Sequence, residues 1–126
     1  MPYAVSHDLP LDIVEVKYTG LVSGADLKQA TTECIAIQKR TGATRFLVDM
    51  DESELKASTL DIHDVPENQY WDQNLDRRSR IAVILPKAPG TRKAADFYEA
   101  ACRNRGWNAH VLPDRQSAID WLEGTA

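Results

Sequence analysis

RIAVILP, residues 80–86, is the stretch that decides the fold. Its five consecutive apolar residues, 81–85, stop at Pro86. A strand with one wet face alternates apolar and polar side chains, so an unbroken run of this length marks a central strand covered on both faces. In a chain of 126 residues that cover has to come from helices. Helical patterns do flank the run. Downstream, over residues 91–105, Ala94, Phe97, Tyr98, Ala101 and Cys102 share one helical face, and Gly106 closes the helix. Upstream, RFLVDM (45–50) reads as a second strand that ends in acidic residues.

The rest of the chain extends the alternation. Ser23 and Asp26 stand in capping-box spacing, with Asp in place of Glu or Gln. Leu27, Ala30, Cys34 and Ile37 come next on one helical face, and Gly42 ends that helix in a left-handed cap. YAV (3–5) and DIVEVKYT (12–19) read as adjacent strands of an antiparallel hairpin. In the middle, Ser58 or Thr59 is expected to cap a short helix that stops before Pro66. Pro66 then opens another helix through Tyr70, Trp71 and Leu75. NAHVL (108–112) reads as a strand near an edge. Asp114 caps a last helix carrying Ala118, Ile119 and Leu122, and Gly124 ends it. The order ββαβαβαβα predicts a single α/β domain over residues 1–126, with a mixed, mostly parallel sheet of four or five strands and right-handed crossovers.

Composition narrows the function classes. Residues 1–75 carry 13 Asp and Glu against 6 Lys and Arg, whereas residues 76–126 carry 6 against 9. The net charge of −4 argues against nucleic-acid binding, which needs dense basic patches. No stretch approaches the ~20 apolar residues of a membrane span, so no stable membrane insertion is expected. MPYAVSHDLP lacks the basic start and apolar run of a secretory signal. Two cysteines, Cys34 and Cys102, fall on inward helix faces and read as reduced core residues. A cytoplasmic location is expected.

The chemistry question is posed by FLVDMDES (46–53), where acidic residues meet what reads as the carboxyl end of a strand. Ligands of open α/β sheets gather at such ends. An Asp-x-Asp pair after a strand resembles the start of haloacid-dehalogenase phosphotransferases. There, Asp49 would be the nucleophile and Asp51 the acid or base. That chemistry also needs a later Lys and further carboxylates for a metal, and of Asp96, Glu99, Asp114, Asp120 and Glu123 most fall inside helices rather than at strand ends. A response-regulator receiver lacks its supports at Gly20, Pro86 and Pro113–Asp114. The favoured reading has Asp49 bonding exposed backbone amides of the next loop while Asp51, Glu52 and Glu54 are solvated, with a binding crevice as the alternative. Lys87, in PKAPGTR (86–92), stands between a central strand and a helix start, where a plain loop is favoured over an anion site. Arg77, Arg78 and Arg80 read as a solvated run or as partners of the acidic half, ahead of a phosphate clamp. Asp61 and His63, two apart, point in different directions on a helix, and no second His stands near them or Asp64, so no metal is expected there. No cofactor is expected either.

The element order, with DIVEVKYTGLVSGADL (12–27), RFLVDM (45–50), RIAVILP (80–86) and FYEAACRNRGWNAHVLPDRQSAIDWLEG (97–124), resembles the SpoIIAA-like branch of STAS domains, also described as STAS/SEC14-like. The resemblance implies helices packed largely on one side of a four- or five-stranded sheet. In true antagonists, a kinase phosphorylates a Ser of an Asp-Ser-Ser-Gly motif at the helix after the central strand. DESELKASTLD (51–61) is the matching zone, and it lacks that motif. The resemblance therefore carries over a place and not a chemistry.

Together these readings predict a non-enzymatic binding module of bacterial signalling that engages a protein partner near residues 51–75. The candidate crevice or partner surface comprises Asp49, Asp51, Ser53, Ser58, Thr59, Trp71 and Lys87. The alternatives are a carrier or sensor of a small apolar ligand, in the SEC14-like manner, and a phosphotransfer enzyme using Asp49 and Asp51. A homo-oligomer is compatible with either binding reading.

Overall fold

Ile81, Ala82, Val83 and Ile84 are all buried in β4 (Arg80–Ile84) of the computed structural model, which describes residues 2–124. The strand is interior, pairing in parallel with β3 (Arg45–Leu55) on one side and β5 (Asn108–Leu112) on the other. β2 (Ile13–Val22) runs parallel to β3, and β1 (Tyr3–Asp8) folds back antiparallel onto β2. The five strands lie in chain order across the sheet, with NAHVL at an edge as expected. The expected domain over 1–126 includes Met1, Thr125 and Ala126, which lie outside the described residues.

The helices are α1 (Gly24–Thr41), α2 (Thr59–Asp64), α3 (Tyr70–Asp72), α4 (Pro89–Asn104) and α5 (Arg115–Glu123). Strands added one after another in one direction, through crossovers of one hand, place every crossover helix on the same face. The core shows this. Val14, Val16, Phe46, Met50 and Ile81 of the sheet pack with Cys34 and Ile35 of α1, Tyr70 of α3 and Cys102 of α4. On the other face Ile13, Leu47, Ala82 and Ile84 meet Ala118 and Leu122 of α5. Local chemistry sets the helix ends. Ser23 Oγ accepts the Asp26 N–H at 3.1 Å while the Asp26 carboxylate accepts the Ser23 N–H at 2.9 Å. Gly42 closes α1 at φ +78°, a left-handed turn that a β-carbon would strain.

Two elements differ from expectation, and both reshape the candidate site. β3 does not end at Met50 but runs to Leu55. Its extension pairs with β2 alone, Thr19 with Glu52 through Val22 with Leu55, after a bulge that sets Met50 and Asp51 against Tyr18. The extra residue shifts the inward phase: Phe46 and Met50 point to the crossover-helix side before the bulge, Ser53 and Leu55 after it.

The second difference is at Pro66, which neither ends one helix nor starts another. The chain stays helical from α2 through a π-helical turn, Val65–Gln69, into α3. The Tyr70 N–H reaches back to the Val65 carbonyl, leaving the Pro66 carbonyl free to accept the Trp107 indole N–H at 3.1 Å. Pro66 has no N–H to lose, and the wider turn accommodates its ring.

Candidate functional site

Most of the predicted residues do converge at the carboxyl end of the parallel strands, with roles fixed by the bulge. Asp49 is an in-strand residue. Its Oδ1 accepts the Asp51 N–H at 3.1 Å, so the bond expected with amides of a following loop forms instead within the strand, at the bulge. Its Oδ2 lies 4.0 Å from Arg115 at the start of α5, and Arg115 forks onto Glu15 of β2 at 2.9 and 2.5 Å. Asp51 meets Lys87 of the β4–α4 loop at 3.4 Å, with Lys87 almost fully exposed. Lys17 and Glu52 form a looser pair beside them at 3.8 Å. Ser53 is buried, and its hydroxyl donates to the Met50 carbonyl at 2.8 Å, which makes it part of the bulge and not of a crevice surface.

Ser58 is the N-cap of α2, accepting the Asp61 N–H through Oγ at 3.1 Å while its own N–H donates to the Asp61 carboxylate at 3.1 Å. Thr59 is the first residue of the helix and is exposed. The Asp61 carboxylate also abuts the start of α1: a β-carbon on Gly24 would stand 2.4 Å from it, so a larger residue there would displace the Asp61 side chain from its cap. Beside this contact runs a cleft of about 420 Å³ lined by Ala25, Lys28, Leu60 and Gln69. Leu60 is 80% exposed, and Leu21, near the end of β2, is 62% exposed.

Trp71 is elsewhere. It stands at the opposite, amino end of the sheet, 5.1 Å from Trp107 between ring centres. The π turn carries Tyr70 inward and leaves Trp71 outward, so Trp71 does not border the carboxyl-end crevice. It is half exposed, as the irregular middle section suggests. Arg77 lies over both rings, 4.5 Å from that of Trp71 and 4.0 Å from that of Trp107, and Arg80 lies 4.4 Å over Trp121. Two of the three arginines are thus stacked on indoles, a role that sequence reading does not assign. Arg78 pairs with Asp76, outside the acidic half.

His63 Nε2 accepts from the Arg105 guanidinium and its Nδ1–H donates to Glu67 at 2.6 Å, joining the middle helix to α4. Asp64 bonds Asn68. Among the described residues no three His, Cys, Asp or Glu side chains converge. Burial pushes both thiols, Cys34 and Cys102, up to about 12, which leaves them protonated and unreactive near neutrality. No helix among the described residues is long and apolar enough to cross a membrane.

Between α1, the middle helix, α4 and the sheet lies an apolar cavity of about 90 Å³. Met50 and Leu55 of β3, Leu27 and Cys34 of α1, Ile62 of α2 and Ala95 of α4 contribute to its wall.

No family model matches this chain. No curated protein matches it either. Solved structures do. One is the anti-sigma factor antagonist SpoIIAA in its unphosphorylated form, at 15% identity and a TM-score of 0.59, covering 97% of this chain and 98% of that one. Another is the Bacillus cell fate determinant SpoIIAA in the phosphorylated form, at 14% identity and a TM-score of 0.57, covering 95% and 98%. A third is an uncharacterised protein of the DUF3478 family with a SpoIIAA-like fold from Shewanella loihica PV-4, at 16% identity and a TM-score of 0.55, covering 95% and 91%. At such identities the likeness is one of fold. The chain has the SpoIIAA-like, STAS-type fold over nearly its whole length.

Proposed function

We propose that this protein is a non-enzymatic, cytoplasmic binding module of bacterial signalling that engages a protein partner through the carboxyl edge of its sheet and the first turn of α2. The observation that carries this reading is the exposed pair Leu21 and Leu60. Leu60 borders the cleft between α1 and α2 beside the Gly24–Asp61 contact, and Leu21 stands near the end of β2, two residues before the N-cap of α1. Isolated surface leucines are ordinary, but an exposed leucine on the rim of a concave surface, with a second in the strand that leads into α1, supplies the apolar centre of an interface. The similar SpoIIAA structures, one of an anti-sigma factor antagonist and one in a phosphorylated form, support a regulatory setting. The α2 start shares the place but lacks the Asp-Ser-Ser-Gly motif, so phosphorylation of Ser58 is no part of the proposal. The carboxylates fit the same view. Asp49 accepts the bulge amide and lies beside Arg115, and Asp51 makes one exposed contact with Lys87.

The test compares the tagged protein with its Leu60→Glu variant, each crosslinked and purified from the native host. The proposal expects a partner crosslinked to residues 51–64 that the variant loses. Turnover of a phosphorylated substrate that disappears with Asp49→Asn would replace it with the phosphotransfer reading.

A second reading, a carrier or sensor of a small apolar ligand, is favoured by the cavity between the sheet and the crossover helices. At about 90 Å³ it is well under the roughly 300 Å³ at which ordinary ligand pockets begin. A long-chain lipid does not fit such a space.

A further inference from the structure

The polar atoms at the cavity wall define what it would hold. Tyr70 of α3 and Tyr98 of α4 reach the cavity from neighbouring helices, and their hydroxyls are hydrogen-bonded to each other. Each of these two hydroxyls brings one proton, and their contact uses one. One proton therefore has no acceptor within the pair, in a place where a buried donor without a partner is costly.

Size and charge restrict the occupant further. The volume lies between that of a water, roughly 30 Å³, and that of a roughly 150 Å³ cavity that takes up benzene or xenon. No Lys, Arg or His lines the cavity. A carboxylate or phosphate would thus be buried without a counter-charge, which is strongly unfavourable. Burial also pushes both tyrosine hydroxyls well above their ordinary range, so they stay neutral donors. Half-buried Leu27, Leu55 and Ala94 mark where the cavity approaches the surface.

We infer that this cavity binds a neutral, otherwise apolar molecule of on the order of five heavy atoms that carries one carbonyl or ether oxygen, which accepts the spare proton of the Tyr70–Tyr98 pair. The inference rests on the second reading of the cavity and adds the polar recognition element to it. It distinguishes this interior from a site for fatty acids or phospholipid headgroups, whose charge has no partner there.

The test uses two isosteres, 2-butanone and 2-methyl-1-butene, which differ by an oxygen in place of a methylene. Each is titrated into methyl-labelled protein and into the Y70F/Y98F variant, with resonances of Leu27, Ile62 and Val65 followed by NMR. The double change removes both members of the bonded pair and conserves shape, which is tolerated better than removing one. Both probes are expected to give saturable shifts with the unaltered protein. In the variant the ketone should lose affinity relative to the alkene by on the order of tenfold. If the alkene binds but this ratio does not change, the cavity is a ligand site and the tyrosine pair is not its recognition element. If neither probe binds the unaltered protein, the second reading falls as well. Nuclear Overhauser contacts from the ketone to the Tyr98 ring provide the same test without a variant, and their absence in a saturated sample would overturn the inference.

Discussion

The two ends of the parallel sheet use charge in opposite ways. At the amino end, charged and polar side chains serve as packing. The Arg77 guanidinium lies against Trp71 and Trp107 and donates to the Gly106 carbonyl at 3.2 Å. The buried Gln38 amide donates to the Ala43 carbonyl at 3.0 Å and to Ser79 Oγ at 2.8 Å, and it accepts the Asp76 N–H at 2.8 Å. At the carboxyl end, Lys17, Glu52, Glu54, Lys56 and Lys87 remain largely in water, in solvent-facing pairs of single contacts. An end closed by stacked rings and a satisfied amide is rigid, and recognition there would require breaking it. The carboxyl end presents hydrated charges, two exposed leucines and a helix start, all of which a partner can meet without unfolding anything.

The comparison breaks first if the amino end proves soft. Trp107 is 2% exposed. Its ring meets Tyr70 edge-on at 5.3 Å, lies under Arg77, and its N–H holds the Pro66 carbonyl. Trp107→Ala removes all of these and opens a large hole, so a loss of about 3–5 kcal/mol is expected from urea unfolding. The variant should also disturb the π turn, because the Pro66 carbonyl is then free to take the Tyr70 N–H in ordinary α-helical fashion. Amide exchange at Tyr70 would report that change. A loss below about 1 kcal/mol, smaller than ordinary core truncations, would remove the distinction between the two ends.

Gln38→Leu comes next. The side chain keeps its approximate bulk but leaves the Asp76 N–H, the Ser79 hydroxyl and the Ala43 carbonyl short of a partner. Ser79 is 1% exposed, so water does not substitute there without rearrangement. A cost of about 1–3 kcal/mol is expected from orphaned buried groups, measured again by unfolding. A neutral or stabilising result would show that the network contributes no net stability and that the stacked rings alone close this end.

The features legible in the sequence are local. Ser23 with Asp26, Gly42, Asp114 and Gly124 announce helix ends through bonds that span a few residues, and the structure places a cap at each. The run at 81–85 announces an interior strand because burial on both faces leaves no polar position. The length of β3 is easily misjudged because Asp51, Glu52 and Glu54 look like a loop. A signal is present nonetheless, since Ser53 and Leu55 resume the inward phase one residue late, the mark of a bulge. The continuity of the middle helix through Pro66 has no local signal, because it depends on an indole 41 residues away in sequence. The same holds for the site. Ser58 is legible as a cap, whereas the hold of Arg115 on Glu15 spans 100 residues, and Asp49 lies 4.0 Å from that same distant arginine. The exposure of Trp71 is legible but its end of the sheet is not, because the π turn rotates the residues after it.

The smallest expected effect is at the carboxyl end. Two exposed ion pairs offer the contrast. At the amino end, Arg78 grips Asp76 with two nitrogens at 3.1 and 2.8 Å, and these bonds bring the Asp76 carboxyl down to about 2. Lys87 touches Asp51 through one contact at 3.4 Å from a flexible stem in water, and the second Asp51 oxygen has no protein partner. Ordering such a stem offsets most of the attraction. Lys87→Ala should therefore shift stability by less than about 0.5 kcal/mol, and raising salt should leave the difference near zero. A loss above about 1 kcal/mol would mean that Lys87 holds the bulge in place. In that case the carboxyl end would be braced as firmly as the amino end, and the open edge to which the partner is assigned would not be open.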